Sequence, residues 1–144
     1  METTWAGVKQ VEVLMVEDNR GDVVLVKEAM AKAELEHNVT VVTDGMDAMD
    51  YLHRRGKYTG VFRPDLIVLD LKLPRKSGLE VLDEIRRDPA LSSIPVVVLS
   101  SSVSELEIAQ SRSRPGERCI AKPATFAGYV DMVNIIEAFR KVTR

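Results

Sequence analysis

Three carboxylates, a hydroxyl and an ammonium stand at the ends of short apolar runs in this chain: Glu17 and Asp18, then Asp70, then Ser100, then Lys122 followed by Pro123. Carboxylates drawn within a few ångströms of one another repel and raise their own pKa values unless a cation sits among them. The donors are all oxygen, with no His or Cys close by in sequence, and such a set selects a hard cation, Mg²⁺, over zinc. Mg²⁺ keeps several waters, which leaves room for a phosphoryl oxygen as a further ligand. Asp70 is then the candidate nucleophile toward phosphorus, forming an acyl phosphate. Lys122 is placed to neutralise the phosphoryl oxygens and Ser100 to donate a hydrogen bond to them, while Ser101 and Ser102 keep a hydroxyl in reach of the same point. A gain of about 1.5 to 2 negative charges at Asp70 would draw Ser100 and the loop behind it inward, turning a local modification into a surface change.

These residues converge only if the chain folds as a parallel sheet with helices on both faces, where ligands sit outside the carboxyl ends of the strands. The pattern supports that α/β class. Short runs rich in β-branched residues alternate with segments of helical period. Five strands are expected: Val11 to Val16, Val39 to Thr43, Leu66 to Leu69, Val96 to Leu99 and, less sharply bounded, Arg118 to Ala121. Pro95 suits the start of the fourth, where no ladder donor is needed. Helices are expected over Asp22 to Glu34, Gly45 to Arg54, Ser77 to Arg87 with Ser77 as N-cap, and Glu105 to Ser111, with Pro115 and Gly116 closing the last of these.

Composition bounds the rest. The chain has 144 residues, 45% of them apolar and 29% charged, which is the make-up of a globular domain and not of a disordered or membrane chain. Cys119 is the single cysteine, so neither an internal disulfide nor a cysteine-rich zinc site is available, and a reducing, cytoplasmic setting is expected. No apolar run approaches the roughly 20 residues of a membrane span. A net charge of −2 argues against binding nucleic acid through its phosphates.

In its strand-end residues the chain resembles the receiver domains of two-component response regulators, from Val11 to the last helix. The resemblance rests on Glu17-Asp18-Asn19, on Val68-Leu69-Asp70-Leu71-Lys72-Leu73-Pro74 with Gly78 following, on Ser100, and on Lys122-Pro123. It implies a doubly wound, flavodoxin-like sheet of strand order 2-1-3-4-5. It also implies phosphorylation at Asp70 by a histidine kinase, and an ion held by Asp18, Asp70 and the main-chain carbonyl of Lys72, with Glu17 acting through water. Pro74, Gly78 and Pro123 shape the loops. Within the family, the stretches Leu69 to Lys76 and Ile94 to Ser102 are similar to small single-domain regulators that partner bacterial and cyanobacterial phytochrome kinases. Residues 1–10 then form an arm and 11–144 the receiver domain, with no output domain. Arg20 stands where many of these regulators have proline, Cys119 stands where many receivers have an aromatic switch residue, and Ser111 to Arg118 departs from the usual helix end.

Two rival functions share parts of this pattern. A phosphatase of the haloacid-dehalogenase type also uses an aspartyl nucleophile and Mg²⁺, but it wants an acid two residues later, where this chain has Lys72. A phosphate-independent interaction module would have no use for the intact acidic set and Lys122. A phosphoacceptor with at most slow self-dephosphorylation, and not an enzyme, is the expectation.

Other residues read as structural. His37 and His53 are expected in solvent, Cys119 as a small buried hydrophobe, Met15, Met30, Met46 and Met49 as core filler, and His53-Arg54-Arg55-Gly56-Lys57 as a solvated helix end. The last helix carries one apolar face of Phe126, Tyr129, Val130, Val133 and Ile136, and a second of Met132, Ile135, Phe139 and Val142. Together they exceed the ~100° stripe a covering helix needs, so a symmetric homodimer through the second face is expected.

Overall fold

The computed structural model describes residues 10–143, so all of the expected N-terminal arm except Gln10 lies outside it. Five strands, β1 (Glu12–Val16), β2 (Asn38–Val42), β3 (Leu66–Asp70), β4 (Val96–Ser100) and β5 (Glu117–Ala121), alternate with five helices, α1 (Arg20–Lys32), α2 (Gly45–Leu52), α3 (Gly78–Arg87), α4 (Val103–Ser111) and α5 (Phe126–Thr143). The strands form one parallel sheet in the order β2-β1-β3-β4-β5, as expected.

Alternation along the strands divides the core in two. Leu14, Val16, Ile67, Leu69, Val96 and Val98 face α2 and α3, where Met49, Leu52, Val81, Leu82 and Ile85 pack on them. Val13, Met15, Leu66, Val68, Val97 and Leu99 face α1 and α5, against Val26, Ala29, Met30, Tyr129, Val133 and Ile136. Because β1, β3 and β4 are buried on both faces, each is an unbroken apolar run apart from one polar residue at an end, Glu12, Asp70 and Ser100 respectively. Each such side chain contributes roughly 1.5–3 kcal/mol by leaving water.

The helices start on local signals. Asn19, Asp44, Ser77 and Ser102 are N-caps whose side chains accept from the amides of Asp22, Asp47, Glu80 and Glu105. α2 stops at Leu52, short of the expected Arg54, because Arg54 takes a left-handed backbone (φ 55°). The charged stretch after it, His53 to Lys57, is exposed along its whole length, as expected of a solvated end, and Gly56–Tyr58 forms a 3₁₀ turn. Tyr58 there lies 5.1 Å from the Tyr51 ring and donates to Asp47 Oδ2 at 2.7 Å.

Four expectations about side chains are corrected. Met46 is 44% exposed and fills no core. His37 is largely withdrawn from water and bonds Glu137 Oε1 at 2.8 Å, because the turn into β2 lays it against α5. Cys119 is half-buried against the α2–α3 side of the core, since β5 is an edge strand. On α5, Met132 is buried in the core while Phe126 is 40% exposed, the reverse of their expected faces. Phe126 opens the helix and extends beyond the core, whereas Met132 sits between Tyr129 and Ile136 at its centre.

Candidate functional site

The parallel register brings the carboxyl ends of β1, β3, β4 and β5 to one edge. Val16 pairs with Leu69, Asp70 with Leu99 and Ser100 with Ala121, and the strands' last amides continue the ladder: Glu17 N donates to Val42 O, Leu71 N to Leu99 O and Lys122 N to Ser100 O. Each site residue therefore sits on or just past a rigid strand.

Glu17, Asp18 and Asp70 offer carboxylate oxygens that all lie within 4.8 Å of one another. Glu17 and Asp70 are buried, whereas Asp18 is exposed, so the cluster opens to solvent on one side. Lys122 Nζ reaches in from β5 and lies 3.0 Å from Glu17 Oε1, 3.2 Å from Asp70 Oδ2 and 2.8 Å from Asp22 Oδ2. The Asp70 carboxylate is thus gripped from both sides, because its Oδ1 accepts from Lys72 N at 3.2 Å.

Charge balance here is lopsided. Burial, and then the hydrogen-bonded Asp70, push Glu17 up to about 7 against the opposing contact with Lys122. Burial by itself would lower Lys122, but the Asp22 and Glu17 carboxylates hold its ammonium above the ordinary lysine range. A buried oxygen-only cluster with more carboxylates than cations fits a hard divalent ion such as Mg²⁺.

Close approaches mark the loops that hold Pro74, Gly78 and Pro123. A Cβ on Gly78 would lie 2.4 Å from Asp70 O and 2.5 Å from Leu71 Cα, so only glycine lets α3 start against the end of β3. Pro74 O accepts from Gly45 N at 3.4 Å and Lys76 N at 2.8 Å, tying the loop after Asp70 to α2. Pro123 backs the start of α5, where a Cβ on Gly128 would meet its own Cβ at 2.8 Å.

Ser100 is buried at the end of β4, but its hydroxyl is engaged with α4: it donates to Glu105 Oε1 at 2.9 Å and accepts from Ser102 N at 2.9 Å. Ser101 is exposed beside it, and Ser102 caps α4.

Asp22 and Tyr129 belong to this site although no sequence pattern singled them out. Asp22 holds Lys122 and accepts from Tyr129 Oη at 3.4 Å, linking the cluster to α1 and α5. Burial and then the Asp22 charge raise the Tyr129 phenol. The available signal was Asp22 itself, an acid in the first turn of the helix that follows the acidic pair.

Comparison with known proteins bears on this arrangement. The model of the response regulator receiver domain matches residues 13–134. The response regulator Rcp1 of Synechocystis sp. is 39% identical over 127 residues, covering 88% of this chain and 86% of Rcp1. Among solved structures, the phosphorylated cyanobacterial phytochrome response regulator RcpA superimposes with a TM-score of 0.83 at 44% identity, covering 94% of this chain and 96% of RcpA. The Mn²⁺-bound form of Rcp1 does so with a TM-score of 0.79 at 38% identity, covering 90% and 93%.

Proposed function

The chain belongs to the response regulator receiver domain family, and from that membership we propose that Asp70 is its phosphoacceptor and that residues 11–144 form the receiver unit. The observation that carries this reading is the convergence of Glu17, Asp18 and Asp70 within 4.8 Å, with the Lys122 ammonium 3.2 Å from Asp70.

Asp18, Asp70 and the Lys72 carbonyl would hold the divalent ion, with Glu17 acting through water; the Mn²⁺-bound form of the relative Rcp1 supports an ion of this class. When bound, the ion neutralises phosphoryl oxygens and orients them for in-line transfer. The chain's own residues do the remainder. An Oδ atom of Asp70 forms the new bond to phosphorus while the donor's phosphorus–nitrogen bond breaks, and the electron pair returns to the donor imidazole. Lys122 then exchanges carboxylate contacts for a phosphoryl oxygen. Ser100 turns its hydroxyl onto another. The Lys72 amide and the wall of β3 keep Asp70 aimed throughout.

The donor is a histidine kinase, and the likeness to RcpA supports a phytochrome-type kinase as that partner. Signal transfer is the function, with slow self-dephosphorylation as the only catalytic property. Among the described residues no helix is long and apolar enough to cross a membrane. Membership of a family of signalling receivers, with a single cysteine in the chain, supports a cytoplasmic setting. A homodimer through α5 is supported by exposed Ile135 (43%) and Val142 (83%), with half-buried Phe139 between them; Met132 is spent on the core. A monomer by light scattering at micromolar concentration would remove the dimer.

The test of the phosphoacceptor is intact-mass measurement after incubation with acetyl phosphate and Mg²⁺. One phosphoryl adduct is expected, absent with Asp70→Asn or with chelator. No adduct, combined with no beryllofluoride binding, would leave only a phosphate-independent module.

A further inference from the structure

Two helices of this chain begin with Ser-x-x-Glu, and they use it differently. At α3 the cap is reciprocal: Ser77 Oγ accepts from Glu80 N at 3.2 Å, and Ser77 N donates to Glu80 Oε1 at 2.9 Å. At α4 the first half is present, with Ser102 Oγ accepting from Glu105 N at 3.3 Å. The second half is interrupted. Ser102 N donates to Ser100 Oγ at 2.9 Å, and Ser100 Oγ donates to Glu105 Oε1 at 2.9 Å. The hydroxyl of Ser100 is inserted into the cap as a relay.

A serine hydroxyl has a single proton to donate. Ser100 is 2% exposed, so that proton has no solvent alternative, and it cannot serve Glu105 and a phosphoryl oxygen on Asp70 together. We infer that Glu105 is the positioning residue for Ser100, holding the hydroxyl on the α4 side until phosphorylation and then closing directly onto the Ser102 amide. The inference rests on Asp70 being the phosphoacceptor. When Ser100 leaves, the Ser102 amide loses one acceptor and gains Glu105, so the cap at α4 reaches the form that α3 already has. One hydrogen bond replaces another, which keeps the two arrangements close in energy and makes the first turn of α4 a two-state element. That turn carries Val103, 70% exposed, so the exchange is felt at the surface. It needs no aromatic residue at position 119, where this chain has cysteine.

The experiment is amide-proton NMR of the full chain, free and saturated with beryllofluoride and Mg²⁺, reading the Ser102 signal. In the free protein Ser100→Ala should displace that signal strongly and Glu105→Ala only weakly. With beryllofluoride bound, Glu105→Ala should displace it at least threefold further than it does in the free protein, and Glu105→Gln, which keeps an acceptor oxygen, should restore most of the shift. An equal displacement by Glu105→Ala in both states would overturn the cap exchange while leaving the phosphoacceptor intact. Failure of the unmodified protein to bind beryllofluoride would remove both.

Discussion

Lys122 Nζ is closer to Asp22 Oδ2, at 2.8 Å, than to Asp70 Oδ2, at 3.2 Å. The ammonium proposed to meet the phosphoryl group is therefore shared with a carboxylate of α1 that lies outside the Glu17–Asp18–Asp70 cluster. Asp22→Asn removes that competitor and leaves Lys122 freer to meet an incoming phosphoryl oxygen. Hydrogen bonds between charged groups are worth about 1.5–3 kcal/mol, of which a fraction is recovered here, so phosphorylation by acetyl phosphate should accelerate roughly three- to tenfold. Time-resolved intact mass would show it, and a slower rate would mean that Asp22 aims Lys122 instead of competing for it.

Lys122→Met strips the cluster of its internal cation and leaves Glu17 and Asp70 buried without one. Breaking a buried ion pair from one side typically costs about 3–5 kcal/mol. Urea denaturation should register a loss of that order without divalent ions. Millimolar Mg²⁺ should restore part of it, because binding to the folded state alone is stabilising.

Asp70→Asn is expected to act in the opposite direction on stability. It relieves a buried carboxylate that helps to push Glu17 up to about 7. The metal-free variant should melt a few degrees higher than the parent by calorimetry, on the order of 1 kcal/mol, and should lose the response of its melting temperature to Mg²⁺. A variant less stable than the parent would show that repulsion is already offset by Lys122.

Gly78→Ala places a methyl 2.4 Å from Asp70 O, against backbone that cannot swing aside. A cost of at least about 2 kcal/mol is expected, with a displaced Asp70 loop and a phosphorylation rate lowered along with the midpoint. Gly60 offers the control, since a Cβ there meets nothing within 4 Å.

Acid should uncover the His37–Glu137–Arg140 cluster. The Arg140 hydrogen bonds, opposed by burial and joined by His37, hold Glu137 down to about 2 from an ordinary 4.5. A depressed carboxyl contributes stability that is complete above its unfolded pKa and is lost as pH falls through its folded one. The stability gap between parent and Glu137→Gln should therefore stand at about 1–3 kcal/mol at pH 7 and narrow from pH 4.5 toward pH 2. Urea curves at pH 7, 4 and 3 give the trend, and a gap independent of pH would assign the cluster to packing.

Much of this protein was legible in its residues. The runs Leu66 to Leu69 and Val96 to Leu99 announce buried parallel strands because both faces of a central strand need apolar side chains. Once the strands are placed, Glu17, Asp18, Asp70, Ser100 and Lys122 must meet at one edge, since parallel strands carry all their carboxyl ends to the same side. Helix starts were equally local: Ser77 and Glu80 cap α3 through atoms three residues apart.

What tertiary structure decided depends on partners remote in the chain. Asp22 meets the Lys122 ammonium from 100 residues away, and Tyr129 in turn bonds Asp22. His37 leaves solvent because Glu137 waits on α5. Periodicity assigned both Met132 and Phe126 to faces of α5, but which face lies on the sheet is set by where the helix docks along it, and docking buried Met132 and left Phe126 in water. The direction of the Ser100 hydroxyl is the finest of these decisions. Residue type supplies a donor, and only the packing of α4 against the end of β4 determines that Glu105 receives its proton.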